Sequence, residues 1–452
     1  MRDRPVNIVG AGLAGALLAV LLARRGFKIN LFEKRADPRH TLAEHGRSIN
    51  LALAARGIRA LEQAGLMDRV RPLLITMRGR MIHEVSGSTN LLPYGQRPEE
   101  VIYSVGRAPL NRLLIEEAAK HPGVTLRFGQ PCLGVDIGRD ALRLHDGKSG
   151  EEYEMPLAPT IAADGGGSVV RRSLAASGLL TDSEEFLDHD YKELTLPPVD
   201  GRYALDSNAL HIWPRGGFML IALPNPDLSF TATLFLAREG AESFAALRSP
   251  QAVREFFAKH FPDAVPLIPD LLKEFAGHPQ GQLGTVRATP WHVAAQVLLL
   301  GDAAHAIVPF HGQGMNAAFE DCSALAWLVE SHSDWSSAFA AFEIERRPQA
   351  DAIAQMALEN YVEMRDTVRD PSFARLKALA LELERMFPDR FIPRYSMVMF
   401  HPEISYGEAL RRGKVQQGIL RVLDSQRMPG GHIDSASANR LVIERLPEFA
   451  AS

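Results

Sequence analysis

Three short segments carry residue types suited to holding a nucleotide. In chain order they are Gly10-Ala11-Gly12-Leu13-Ala14-Gly15, Ala163-Asp164-Gly165 and Gly301-Asp302-Ala303-Ala304-His305. Glycines at 10, 12 and 15 permit a tight turn and let backbone amides approach a pyrophosphate at a helix N-terminus. Glu33 follows eighteen residues after Gly15, where a carboxylate can accept hydrogen bonds from ribose hydroxyls. The apolar run Val6, Ile8, Val9 before the turn, a helix over 13–25 and a second strand over 28–32 are the elements this chemistry requires. The set reads as a dinucleotide fingerprint in its proper setting.

Which dinucleotide follows from the later segments. The apolar run 297–300 reads as a buried strand that ends at Gly301-Asp302, placing a carboxylate where a sugar-alcohol chain could bind it. Pro309-Phe310-His311-Gly312-Gln313-Gly314-Met315-Asn316 then leads into a helix over 317–330. Two glycines before a helix let the backbone approach a flat ring, and the helix N-terminus supplies positive potential. Reduced flavin is negatively charged along its pyrimidine edge, so the feature suits FAD better than NAD. Together these segments resemble the FAD-dependent aromatic hydroxylases of the 4-hydroxybenzoate hydroxylase type, over the first three quarters of the chain. That resemblance implies FAD contacts at Leu13, Ala14, Lys34, Arg35, Ala52, Leu133, Asp302, Gly312, Gly314, Met315 and Asn316. It also implies contacts at Arg47 within Gly46-Arg47-Ser48 and at Arg107, whose guanidinium could offset pyrophosphate charge. Asp164, followed by Ser168 and Arg171, matches a family pattern near FAD. A nicotinamide cofactor, NADPH, is implied as a transient co-substrate, since the chain has no second nucleotide fingerprint.

The substrate can be approached through residues outside this frame. Arg78-Gly79-Arg80-Met81-Ile82-His83 is strand-like, so Arg78, Arg80 and Ile82 would share one face. An arginine there could serve a carboxylate. Tyr94 follows in Leu91-Leu92-Pro93-Tyr94-Gly95. Asn360 and Met364 lie at i and i+4 on a later helix, and Arg394-Tyr395-Ser396 supplies another phenol. With Ala209-Leu210-His211-Ile212-Trp213-Pro214, these segments are similar to the kynurenine 3-monooxygenase family, from the N-terminus to about Phe400. The resemblance implies that Arg80, Tyr94, Asn360 and Tyr395 hold the amino-acid end of L-kynurenine. Ile102, Leu210, Met219, Ile221, Leu223, Phe235, Phe310 and Met364 would form the apolar wall around its ring. Each of those apolar residues alone would also be ordinary core.

The implied chemistry is ring hydroxylation with NADPH and O₂, in which O₂ adds at the flavin C4a position and one oxygen passes to the ring. The aniline nitrogen already activates its ortho carbon, so the protein's tasks are positioning and keeping water away. No catalytic acid or base is assigned; His311 could tune proton transfer or simply form a structural hydrogen bond. Hydroxylation of another aromatic acid is the nearest alternative, and it would change the Arg80, Tyr94, Asn360, Tyr395 set. A flavin-dependent halogenase lacks support, because all four tryptophans are isolated. A non-catalytic flavoprotein would be excluded by steady NADPH consumption.

The 452 residues suggest about three domains with a large core. Hydrophobic content of 46% and charged content of 23% fit a soluble globular chain, and the net charge of −4 gives no basic footprint for nucleic acid. Two cysteines, Cys132 and Cys322, show no metal spacing and fit a reducing cytoplasm. The first strand begins by Val6, leaving no room for a signal peptide, and no apolar run is long enough for a membrane anchor. Oligomeric state stays open, a homodimer among the options. The expected architecture is α/β: a Rossmann-type FAD-binding domain (1–75, 101–185, 285–335), an inserted, mostly antiparallel β-sheet substrate domain (76–100, 186–284) and a C-terminal helical region (336–452). Alternating or continuous apolar runs at 77–85, 209–223 and 229–235 mark the sheet, with Gly216-Gly217 as a hairpin turn. Helices are expected at 51–64, 110–120, 342–366, 371–386 and 406–424, a connection at 391–395, and weak patterning at 428–439.

Overall fold

The computed structural model of the protein describes residues 1–40, 50–365, 371–427 and 433–449. Its centre is a six-stranded sheet in the order His292–Val293, Val297–Leu299, Thr160–Ala162, Val6–Val9, Ile29–Glu33, Val124–Phe128. All pairings are parallel except the first, which is antiparallel. The helix Leu13–Ala23 packs between this sheet and the helices Arg107–Ala119 and Gly314–Ser331, which explains why it is apolar all round. Leu17, Leu18, Leu21 and Leu22 are completely buried, each contributing about 1.5–3 kcal/mol of transfer free energy.

The second large sheet has seven strands: Gln280–Thr289, Thr181–Leu196, Phe230–Ala237, Met219–Pro224, Ala209–Pro214, Gly79–His83 and Thr89–Pro93. Every pairing is antiparallel except that between Ala209–Pro214 and Gly79–His83. Gly216 and Gly217, both at positive φ, make the expected hairpin turn. Residues Leu220, Ala222, Ala232, Leu234 and Leu236 face a core that includes Phe256, Phe257 and Phe261. The alternate residues Ile221, Leu223, Thr231, Thr233 and Phe235 face a cavity, as the two-residue period of a strand dictates.

The helical expectations hold for Arg107–Ala119, Trp335–Arg365, Pro371–Met386 and Tyr406–Ser425. Among the described residues, no helix is long and apolar enough to cross a membrane.

Several expectations need correction. The segment expected to be helical from 51 begins as the strand Asn50–Leu53, hydrogen-bonded to Ile102–Gly106, and the helix starts only at Ala55. Residues 394 and 395 open a short helix, Arg394–Phe400, instead of lying in a connection. The weakly patterned tail contains the helix Ser435–Arg445, whose N-terminal amides at Ala436 and Ser437 donate to the Asp434 carboxylate. Arg78 is exposed and precedes its strand, so it does not share a buried face with Arg80. The long strands Thr181–Leu196 and Gln280–Thr289 run side by side through the expected domain limits, with Glu185 paired to Thr285 and Phe186 to Gly284.

Candidate active site

One cavity of about 430 Å³ runs from the glycine turn to the seven-stranded sheet. At the first end lie Gly12, Leu13 and Ala14, with Arg107 and Asp302 beside them, both exposed. Gly10 has φ +100°, and a Cβ there would collide with the Ala163 carbonyl. A Cβ on Gly15 would overlap the Gly10 carbonyl oxygen. Gly12 differs, since no protein atom lies within 4 Å of where its Cβ would be. The open space at Gly12 faces the cavity, and no side chain caps the helix it precedes. Unpaired N-terminal amides beside empty volume are what a pyrophosphate needs. Glu33 stands behind the turn: its Oε2 accepts from Ala11 N at 2.9 Å and its Oε1 from Arg35 N at 3.0 Å. These residues fit an FAD pyrophosphate and ribose.

The second helix N-terminus facing this cavity is that of Gly314–Ser331, also without a side-chain cap. Gly312, Gly314 and Met315 line the cavity there, with Ala52 and Leu51 opposite. Three buried amides brace this loop from behind. Asn316 donates to Ala52 O and Gly312 O, both at 2.8 Å, and accepts from Ala54 N at 2.9 Å. Asn360 Nδ2 donates to Phe310 O at 2.6 Å. Gln313 Oε1 accepts from the Tyr406 hydroxyl at 2.8 Å. The loop's shape is therefore fixed before any flat ring is placed against it.

At the far end the walls turn apolar and then charged. Leu210, Ile221, Leu223, Phe235, Phe310 and Met364 form the sleeve, with Ile102 on one side. Beyond it lies Arg80, buried, its guanidinium 4.9 Å from the Tyr395 ring centre and 6.0 Å from that of Tyr94. The two phenol rings stack at 5.6 Å. Arg80 Nη1 reaches Glu363 Oε1 at 3.3 Å, while Arg80 Nε and the Tyr94 hydroxyl are buried without a well-formed hydrogen bond. Burial opposes the guanidinium charge, but Tyr395, Glu363 and Tyr94 outweigh it and raise the Arg80 pKa. Burial raises the Tyr94 and Tyr395 pKa values as well, so both phenols stay neutral donors. A permanent cation flanked by two neutral hydroxyls and lacking part of its hydrogen-bond complement has the chemistry to bind a carboxylate.

His311 stacks on Tyr395 at 5.4 Å, and its Nδ1 is buried without a hydrogen bond. Burial, with Arg80 and Arg394 nearby, pushes its pKa down to about 3, so the ring is neutral at physiological pH.

Not every expected residue reaches the cavity surface. Lys34 and Arg35 are exposed after the strand end, and Leu133 lies half-buried in the small sheet formed with Ala141–His145. Arg47 lies outside the described residues. Asp164 turns its Oδ2 to Val169 N and Val170 N, at 2.8 and 3.3 Å, and so caps the helix Val169–Ala176; Gly165 takes the place at the cavity. Arg171 is fully buried between Asp182 and Glu184. Met219 is completely buried in the core behind the sleeve. Asn360 does not line the main cavity, because its amide is spent on Phe310 O. Sequence reasoning missed Glu363 and Gln313. Glu363 could have been found at i+3 from Asn360, on the same helix face.

Comparison with known proteins follows the same outline. A family profile described as "FAD binding domain" matches residues 3–357. Kynurenine 3-monooxygenase of Xanthomonas campestris pv. campestris (strain 8004) is 48% identical over 442 residues, 98% of this chain and 95% of that protein. Kynurenine 3-monooxygenase of Stenotrophomonas maltophilia (strain K279a) is 46% identical over 446 residues, covering 98% of each chain. Among solved structures, the tetrameric form of 2-methyl-3-hydroxypyridine-5-carboxylic acid oxygenase superposes with a TM-score of 0.66 at 21% identity, over 82% of this chain and 95% of that one. At that identity it supports the fold alone.

Proposed function

The chain belongs to the kynurenine 3-monooxygenase family of FAD-binding enzymes, and from that premise we propose that it hydroxylates the aromatic ring of L-kynurenine to give 3-hydroxykynurenine, using NADPH and O₂. The observation that carries the reading is the single cavity joining the glycine turn to Arg80 through an apolar sleeve. An aryl ketone with an amino-acid tail fits that sequence of surfaces, ring in the sleeve and carboxylate at the guanidinium.

Bound FAD supplies electron transfer from NADPH and the activation of O₂. In this reading Gly12, Leu13 and Ala14 hold the pyrophosphate by backbone amides, and Glu33 and Asp302 bind sugar hydroxyls. The braced loop 312–315 sets the ring plane. Arg80, Tyr94 and Tyr395 fix the carboxylate, which orients the aniline ring so that its activated ortho carbon meets the oxygen. Phe235, Phe310 and Met364 keep water out of the sleeve. His311, neutral in the folded state, offers an unused Nδ1 at the junction of sleeve and loop. A reducing cytoplasmic setting belongs to the same proposal; both cysteines are free thiols.

The deciding assay measures NADPH oxidation with and without L-kynurenine and identifies the product by mass spectrometry. Ligand-stimulated oxidation with one oxygen atom added to the ring is the expected result. Stimulation by a different aromatic acid, with none by kynurenine, would leave the flavoprotein monooxygenase and overturn the substrate.

A further inference from the structure

We propose that the cavity wall formed by Asn50, Glu193, Thr231 and Thr233 receives the nicotinamide carboxamide of NADPH, with Glu193 as its anchor. This rests on the NADPH-dependent reading above and gives the co-substrate a docking place of its own, since the chain has one nucleotide fingerprint.

The register of the seven-stranded sheet sets the distances. Arg80 pairs with Leu210, His211 with Ala222, and Leu223 with Thr231. Arg80, Leu210, Leu223 and Thr231 therefore lie in one row on the cavity face. Neighbouring strands are about 4.8 Å apart, which puts Thr231 roughly 14 Å across the sheet from Arg80. The Arg80 guanidinium turns the other way, to Tyr94, which follows the strand on its far side. L-Kynurenine spans roughly 8 Å from its carboxylate to the far side of its ring, at about 1.5 Å per bond. With its carboxylate at Arg80 it does not reach Thr231. Thr233, paired with Ile221 and Glu193 in the next row, is beyond it too.

This part of the wall is polar where the sleeve is apolar, and it is open. Glu193 is half-buried, and Gln282 on the edge strand is exposed. A co-substrate that arrives and departs in every turnover needs such a route. Asn50 borders the patch. Its Nδ2 donates to Leu223 O at 3.3 Å and Pro224 O at 2.9 Å, while its Oδ1 is buried without a hydrogen bond. The next residues on its strand, Leu51 and Ala52, stand opposite the loop 312–315, so the patch adjoins the place of the flavin ring.

The donor and acceptor pattern selects the ligand. Asn50 Oδ1 and the Glu193 carboxylate accept, and the hydroxyls of Thr231 and Thr233 can donate. A primary carboxamide answers that set with two N–H donors and one carbonyl oxygen. Glu193 repels phosphate, which leaves this wall to the uncharged end of NADPH. Hydride transfer from NADPH to FAD gives NADP⁺ and the reduced flavin anion, so the nicotinamide leaves as a pyridinium cation. A fixed carboxylate beside it favours the charge that develops.

The test uses the FAD holoenzyme and tetrahydro-NADP, a redox-inert analogue that keeps the carboxamide. Affinities are measured by titration calorimetry, with and without L-kynurenine. Phospho-ADP-ribose, which lacks the nicotinamide, and L-kynurenine itself are the control ligands. Glu193→Leu should weaken the analogue by at least about tenfold, and Thr233→Val by about threefold. Glu193→Gln, which keeps an acceptor oxygen, should lose less than Glu193→Leu. All three variants should bind both control ligands as wild type does, and FAD content and melting temperature report whether they are intact. Unchanged analogue affinity in Glu193→Leu and Thr233→Val overturns the proposal. Equal losses for phospho-ADP-ribose, a loss for L-kynurenine, or no binding of the analogue to wild type overturn it as well. Wild type that binds the analogue but not L-kynurenine overturns the kynurenine reading alone.

Discussion

The Tyr406 hydroxyl donates to Gln313 Oε1 at 2.8 Å, with both side chains completely buried. Gln313 lies between the two glycines of the cavity loop, and Tyr406 opens a helix ninety-three residues later. Arg56 stacks 4.0 Å over the Tyr406 ring and pairs with Glu320 at 2.8 Å. Arg346 pairs with both Glu320 and Asp321. The helix Tyr406–Ser425 is thus tied to the loop by a buried polar chain, and the C-terminal region is part of the machinery that shapes it.

Tyr406→Phe keeps the ring and removes one donor, which leaves Gln313 Oε1 buried and unpaired. A loss of about 1–3 kcal/mol is expected. It should be read as a lower melting temperature of the apoprotein and faster FAD loss on dialysis. An unchanged melting temperature would show that the loop does not depend on this bond.

Glycines 12 and 15 should part company on substitution. Gly15→Ala forces a Cβ into the Gly10 carbonyl, so the apoprotein itself should lose stability. Gly12→Ala meets no protein atom within 4 Å, so the apoprotein should melt normally while FAD affinity falls. Parallel thermal melts and flavin titrations of the two variants check this. Normal FAD affinity in Gly12→Ala would remove the pyrophosphate from that surface.

Arg80→Met should raise the Kd for L-kynurenine by at least roughly 30-fold, since loss of one partner of a buried, hydrogen-bonded charge pair costs on the order of 2–5 kcal/mol. FAD content should hold, because Arg80 lies beyond the sleeve from the glycine turn. A decarboxylated analogue should bind wild type poorly and lose much less on going to the variant. Equal losses for both ligands would make Arg80 structural.

Acid should destabilise the fold between pH 6.5 and about 4. Burial lowers His311 to about 3 and His83 to about 4, so below pH 6.5 the unfolded chain binds protons the folded chain refuses. Stability from these groups is present above 6.5 and is lost as pH falls toward the folded values. His305 runs the other way: burial opposes its charge, but Asp321 prevails and its pKa is raised. Its contribution is fully present below 6.5 and is lost as pH rises through the folded value. Chemical denaturation at several pH values should show the acid loss, with a shallower slope in His311→Asn. An identical slope would mean that His311 is not buried neutral.

The fingerprint was legible because its residue types are forced. Gly10 takes a positive φ and Gly15 sits against backbone, so little else can replace them. The antiparallel sheet was legible from its two-residue period. The amide braces were not. Asn360 and Gln313 bind partners 50 and 93 residues distant, and an amide gives no local sign of which carbonyl or hydroxyl it will meet. The strand Asn50–Leu53 read as helix because its pairing with Ile102–Gly106 is non-local. The Ser435 helix was hidden by the serines around it, although Asp434 is an ordinary N-cap.

The seven-stranded sheet keeps its two faces on separate duties, with Ile221, Leu223, Thr231, Thr233 and Phe235 toward the cavity and their neighbours toward the phenylalanine core. Inheritance can therefore act on the two sets independently. Substitution at the five cavity positions changes the cavity wall without entering the core around Phe256, Phe257 and Phe261.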